Sequence, residues 1–168
     1  MTEALVAFGG NVGDVRATLA AAIARFCDGE AVRLTARSSD YRTPPWGIEE
    51  QPPFVNLCIA VDTELAPLAL LQRGLAVERA FGRDRGSEQR WGPRTLDIDI
   101  LVYGDLTLDT PELVLPHPRL LERAFVLVPL CDIRPDLVVN GVPIAQALAA
   151  LDAAGIERLP PRSADARS

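Results

Sequence analysis

Apolar residues run without a break from Ala4 to Phe8 and stop at Gly9-Gly10. A short unbroken run closed by glycine predicts a buried strand. Asn11 to Asp14 reads as a turn, with Asp14 placed to cap a helix. Val15, Leu19, Ile23 and Phe26 then recur at helical spacing, which predicts an amphipathic helix over 15–26. Ala31 to Tyr41 reads as a second strand and Phe54 to Thr63 as a third. Pro67 suits the first turn of a second helix. Its core face is expected at Leu68, Leu71 and Leu75, and its end near Phe81-Gly82. Thr95 to Tyr103 predicts a fourth strand.

Two stretches break this rhythm. Arg42 to Pro53 holds Pro44, Pro45, Pro52 and Pro53 together with Trp46 and Gly47. That is too much proline for a helix or a central strand, so an ordered loop is expected. Gly82 to Pro93 is a second, polar loop carrying Arg83, Arg85, Arg90 and Trp91. The order strand, helix, strand, strand, helix, strand predicts an α+β fold with a ferredoxin-like βαββαβ core, an antiparallel sheet with both helices on one face. Beyond it lie Pro116-His117-Pro118, an apolar run from Phe125 to Leu130 and a short helix near Ile144 to Leu151. These additions are expected to cover the other face, leaving helices on both. One domain is expected over 1–159, with a disordered tail over 160–168.

A chain of 168 residues suits one domain, and 48% hydrophobic with 24% charged residues is ordinary for a chain with a buried core. The net charge of -6 argues against a general nucleic-acid binder, which needs a basic surface. A nucleotide substrate remains open, because a metal ion bridges carboxylates to phosphates. All 17 basic residues are arginine. That excludes P-loop, kinase-type and Schiff-base lysines, so phosphate chemistry must use arginine, backbone N–H groups or metal. Cys27, Cys58 and Cys131 form no CxxC pair and are odd in number, which does not suit a disulfide framework. Cys58, inside an apolar run, reads as a small core residue. No signal peptide or membrane-length apolar stretch is legible, and the expected location is a reducing cytoplasm.

The sharpest chemical signal is Leu96-Asp97-Ile98-Asp99-Ile100. Strand side chains alternate, so Asp97 and Asp99 share one face and the three apolar residues share the other. Aspartate is disfavoured in strands, and a like-charged pair repels. A hard divalent cation resolves that conflict, and Mg²⁺ characteristically takes one or two carboxylates, waters and substrate phosphates. Gly92-Pro93-Arg94 leads into this strand, and Arg83, Arg85 and Arg90 crowd the loop before it. Guanidinium forks suit phosphate oxygens, so the loop reads as a lid over a polyphosphate, although salt bridges to the carboxylates would use the same residues. Phe54 and Asn56 share a strand face beside the proline-rich loop. An aromatic wall next to an amide suits a flat heterocycle with donors and acceptors on its edge, and equally a core Phe with a turn-facing Asn. His117 is the only histidine and stands before Arg119 and Arg123.

These residues resemble the 6-hydroxymethyl-7,8-dihydropterin pyrophosphokinases. The resemblance runs from Phe8-Gly9-Gly10-Asn11 to about Pro135. Its specific segments are Tyr41-Arg42-Thr43-Pro44-Pro45-Trp46-Gly47, Gln51-Pro52-Pro53-Phe54-Val55-Asn56, Glu78 with Gly82-Arg83-Asp84-Arg85, Arg90-Trp91-Gly92-Pro93-Arg94-Thr95-Leu96-Asp97-Ile98-Asp99, and Leu115-Pro116-His117-Pro118-Arg119. Gly10, Trp46 and Pro118 depart from the usual pattern, standing where serine, a smaller apolar residue and an aromatic are common.

The resemblance implies a single pyrophosphokinase domain that moves diphosphate from ATP to the pterin hydroxymethyl group, releasing AMP, in folate synthesis. It implies that Asp97 and Asp99 hold two Mg²⁺ ions and that Arg83 and Arg94 stabilise the transferring group. Arg85, Arg90, Trp91, His117 and Arg123 match ATP-contacting positions. Thr43, Pro44, Trp46, Phe54, Asn56 and Phe125 match the pterin pocket, and Glu78 a buried supporting acid. The expected partners are these two small molecules, with no nucleic acid and no membrane, and the expected state is a monomer. Two rivals stand beside this reading. A metal-dependent nucleotidyl transferase or cyclase also uses paired aspartates on such a sheet, and a non-catalytic sensor domain shares the fold.

Overall fold

A computed structural model describes residues 1–45, 50–82 and 95–162. The elements run β1 (Thr2–Gly10), α1 (Val15–Phe26), β2 (Val32–Arg37), β3 (Tyr41–Thr43), β4 (Phe54–Thr63), α2 (Pro67–Ala80) and β5 (Asp97–Tyr103). They continue with β6 (Leu108–Asp109), β7 (Val114–Leu115), a 3-10 turn (Leu120–Glu122) and α3 (Ala124–Ile133). The last elements are β8 (Val138–Val139), β9 (Val142–Pro143), α4 (Ile144–Ala149) and β10 (Glu157–Arg158). The main sheet is antiparallel in order β10-β3-β4-β1-β5, with β2 also paired to β4.

The central position of β1 follows from its composition. It lacks charge after Glu3 and is buried on both faces, with Ala4, Leu5, Val6 and Phe8 almost wholly enclosed. One side chain set, Ala4, Val6 and Phe8, packs with Ile98 and Ile100 under α1 and α2. The alternate set, led by Leu5, packs with Cys58, Ala60 and Leu101 under α3 and α4. The two cores therefore lie on opposite faces of one sheet. Asp14 caps α1, its carboxylate accepting from the Ala17 N–H at 3.3 Å.

Two expectations need correction. The strand read over Ala31 to Tyr41 is two strands broken at Ser38–Asp40. Buried Ser38 takes over the pairing there: its Oγ accepts from the Cys58 N–H at 2.9 Å and donates to the Ser39 carbonyl at 2.8 Å. The buried residues of α2 are Leu70, Gly74, Val77 and Glu78; of the expected face Leu71 packs half-buried against the core, while Leu68 is 48% exposed. Two apolar stripes overlap on this helix, and the buried one contains the residue without a side chain. A Cβ on Gly74 would sit 3.4 Å from Ile98 Cγ2, so α2 lies close on β5. Where the expected tail begins, the Pro160 carbonyl accepts from Arg16 Nη2 at 2.6 Å and Arg162 donates to the Arg16 carbonyl at 3.4 Å, and residues 163–168 lie outside the described residues. No helix among the described residues is long and apolar enough to cross a membrane.

Candidate active site

The register of the sheet brings the candidate residues into one row. Gly9 on β1 lies opposite Asp97 on β5 and opposite Asn56 on β4, and Asn56 lies opposite Tyr41 on β3. Directly opposed residues point to the same face. Asp99 is one row further, opposite Ala7. All of these face the side covered by α3, because Ala7 and Leu101 pack there.

Gly9 is the centre of this row. A Cβ at position 9 would collide with the Asn56 amide oxygen. Glycine therefore leaves room for the amide oxygen over β1. The Asn56 Nδ2 donates to Thr43 Oγ1 at 2.8 Å, and Thr43 is 1% exposed. The amide is thus held by its nitrogen while its oxygen lies over Gly9, on the side toward Asp97. Sequence reasoning treated Gly9 only as the end of a strand. Its pairing with two polar strand residues at once is visible only in the register.

The two aspartates are a strained pair. Burial pushes the Asp99 carboxyl well above the usual carboxylate range, and the charge of Asp97, a hydrogen bond shared with it and the charge of Glu78 push the same way. Arg123 opposes the shift. Glu78, 1% exposed, accepts from the Ile98 N–H at 2.8 Å and so pins α2 to the strand between the two aspartates. Arg123 has a buried Nε without a hydrogen-bond partner among the described residues. Its guanidinium carbon lies 5.6 Å from the Phe125 ring centroid. The His117 N–H donates to the Leu101 carbonyl at 2.8 Å, and its Nδ1 accepts from the Arg119 N–H at 3.1 Å. Burial, then the charge of Arg123, pushes the His117 imidazole down to about 4, so it is neutral at pH 7.

Among the described residues no group of three or more His, Cys, Asp or Glu side chains could hold a metal ion. Two carboxylates are what a cation completing its shell with water and phosphate oxygens requires. The oxygen donors, their mutual repulsion and the unpaired Arg123 Nε nearby fit a divalent cation carrying an anionic ligand.

On the far side, Pro44, Pro45 and Phe125 line a cavity of about 270 Å³ with Glu122, Ala124, Leu151, Asp152 and Ala154. Phe54 stands two residues before Asn56 on the same strand face. Asn11, read from sequence only as part of a turn, is 3% exposed and latches the proline-rich loop, donating to Gln51 Oε1 at 2.9 Å and to the Pro52 carbonyl at 3.0 Å. An asparagine directly after a buried strand was the available signal. The structure thus brings Thr43, Asn56, Asp97 and Asp99 onto one sheet face, with His117, Arg123 and Phe125 around it, while Glu78 on α2 holds β5 from the other face. Arg83, Arg85, Arg90, Trp91, Arg94 and Trp46 lie outside the described residues.

A chain of HPPK-DHPS in complex with substrates superposes with a TM-score of 0.69 at 15% identity, over 89% of this chain and 42% of that one. Wild-type Plasmodium falciparum HPPK-DHPS with SDX-DHP gives 0.65 at 15% identity, over 89% and 43%. This chain spans less than half of those solved chains, and at that identity the likeness speaks for the fold. The pyrophosphokinase of Methylorubrum extorquens, named for 2-amino-4-hydroxy-6-hydroxymethyldihydropteridine, is 50% identical over 95% of this chain and 99% of its own length. The Pseudomonas aeruginosa protein of the same name is 47% identical over 92% of this chain and 95% of its own. Residues 5–135 match the family described as 7,8-dihydro-6-hydroxymethylpterin-pyrophosphokinase (HPPK), and the chain belongs to that family.

Proposed function

We propose that this chain transfers diphosphate from ATP to the hydroxymethyl oxygen of 6-hydroxymethyl-7,8-dihydropterin, giving AMP and the pterin diphosphate, in folate biosynthesis. The observation that carries the reading is the sheet register around Gly9, which puts the Asn56 amide and the Asp97–Asp99 carboxylate pair on one sheet face. The element order and the sheet order β3-β4-β1-β5 support the ferredoxin-like description of the core.

The attack runs in line from the hydroxymethyl oxygen to the β-phosphorus of ATP, and AMP leaves. Such transfer depends mainly on positioning and on neutralising charge. Asp97 and Asp99 would hold Mg²⁺, two ions by family resemblance, which neutralises the phosphate oxygens and polarises the leaving group. Asn56, fixed through its amide nitrogen by Thr43, offers its amide oxygen as an acceptor to a ring edge bearing N–H groups. Phe54, Phe125, Trp46 and Pro44 supply flat apolar walls for the bicyclic ring. Arg123, Arg85, Arg90, Trp91 and His117 attend the nucleotide. Arg83 and Arg94 clamp the transferring group, where guanidinium contacts are worth roughly a thousandfold or more in rate. Glu78 holds the metal strand in place.

Product analysis tests the reading. With ATP, Mg²⁺ and the pterin alcohol, AMP and a pterin diphosphate are expected in equal amounts. Pyrophosphate release without AMP would point to a nucleotidyl transferase or cyclase. Binding without turnover would leave a sensor.

A further inference from the structure

The family match ends at residue 135, yet the chain returns to the site after it. Leu151, Asp152 and Ala154 form one side of the cavity whose other side is Pro44, Pro45 and Phe125. The strand that follows, β10, pairs with β3, setting Glu157 opposite Arg42 and Arg158 opposite Tyr41. Without that pairing β3 would be an edge strand three residues long, with Thr43 and Pro44 at its loose end.

The fastening is dense. Glu157 and Arg42 form an ion pair at 2.6 Å, and Arg158 Nε donates to Ser39 Oγ at 2.9 Å. The Leu159 N–H donates to the Asp40 carbonyl at 2.9 Å. The Asp40 side chain, buried, is in turn held by Arg16 and Arg37 at 2.8 and 3.0 Å. Between cavity and strand stands Gly155, with φ of 84°. A Cβ there would sit 2.9 Å from Pro44 Cγ, closer than ordinary contact.

We infer that the segment Leu151–Leu159 is a positioning element for the heterocycle side of the site, with Gly155 seating Pro44 against the substrate. The inference rests on the reading of this face as the pterin side. Gly155 touches no reacting group. It acts through Pro44, and through β3 on Thr43 and Asn56. The nucleotide side is built on β5 and Arg123, whereas Gly155 and β3 bear on Pro44, Thr43 and Asn56. Disturbing the segment therefore separates the two substrates.

The test uses the full chain with Gly155→Ala and Gly155→Asn. Asparagine tolerates a left-handed backbone while still carrying a Cβ, so it separates the steric push from backbone strain and protects the test if the alanine variant folds poorly. The KM for the pterin is expected to rise roughly tenfold in both variants, with kcat and the KM for ATP near parental values, since small misplacements at a site are costly. Hydrogen exchange over residues 41–45 and at Asn56 is expected to quicken. An unchanged pterin KM in a variant that melts like the parent overturns the inference. So does an equal loss toward both substrates, which would mark a general structural role. A wild-type chain that makes no pterin diphosphate overturns instead the functional reading on which the inference stands, and is seen before any variant is compared.

Discussion

Gly9 shows how much one missing methyl group decides. Its neighbours across the sheet are an amide and a carboxylate, and the amide oxygen fills the space a Cβ would take. Gly9→Ala is expected to displace the Asn56 amide from Thr43 and lower kcat/KM for the pterin by roughly tenfold to a hundredfold, with ATP affinity kept. Parental kinetics with both substrates would refute it. The aspartates carry a different cost. Asp99 is raised in the folded chain, so its ionised form opposes folding at neutral pH. That contribution is favourable only at low pH and is lost as pH rises through the folded value. Asp97→Asn and Asp99→Asn are each expected to abolish turnover, and Asp99→Asn to raise the melting temperature at pH 7 in chelator. A lower melting temperature would contradict the account. His117 has the opposite sign. The unfolded imidazole takes its proton near 6.5 and the folded one near 4. The unfolded chain therefore binds more protons in that window, and stability falls as pH drops through it. Urea unfolding across that range should show a flatter slope for His117→Gln than for the parent. Equal slopes would exclude the histidine as the source.

The elements were legible where burial and periodicity agree, and obscure where a side chain replaces the backbone. The helix over Val15–Phe26 and the strand over Phe54–Thr63 match their expected bounds. The helix keeps one consistent period, and the strand carries one unbroken buried run. The break between β2 and β3 had no such mark, because Ser38 keeps the ladder satisfied with its hydroxyl. Ser38→Ala should leave the Cys58 N–H buried and unpaired, at a cost of about 1–3 kcal/mol in unfolding free energy. Denaturant titration measures this, and a loss within error of zero would show that β2 and β3 close into one strand instead. On α2 the sequence offered two apolar stripes. The choice between them was made by Gly74 and by Glu78, whose carboxylate must reach the Ile98 N–H. Neither residue is apolar, so periodicity alone misplaced the face.

At the scale of the whole molecule, one sheet divides two cores and carries the candidate chemistry on the face under α3. Alternation along Leu96–Ile100 already separated the carboxylates from the core, and the resemblance supplied the family. The distant partners were hidden for a physical reason. The latch from Asn11 to Pro52 and the return of Glu157 to Arg42 span long stretches of chain and follow no local period. The two-core arrangement also fixes the fate of the thiols. Cys58 is wholly enclosed between β4 and α3, its Sγ 3.7 Å from the Val126 carbonyl, and burial raises its pKa strongly. Cys27 and Cys131 are half-buried. An alkylating reagent should therefore modify those two first, and reach Cys58 only in molecules whose third helix has lifted from the sheet. The same lifting would strip Arg123 and Phe125 from the site. Modification of Cys58 is then a clock for site disassembly, expected to slow when ATP and pterin are bound together and to keep its pace if α3 moves independently of them.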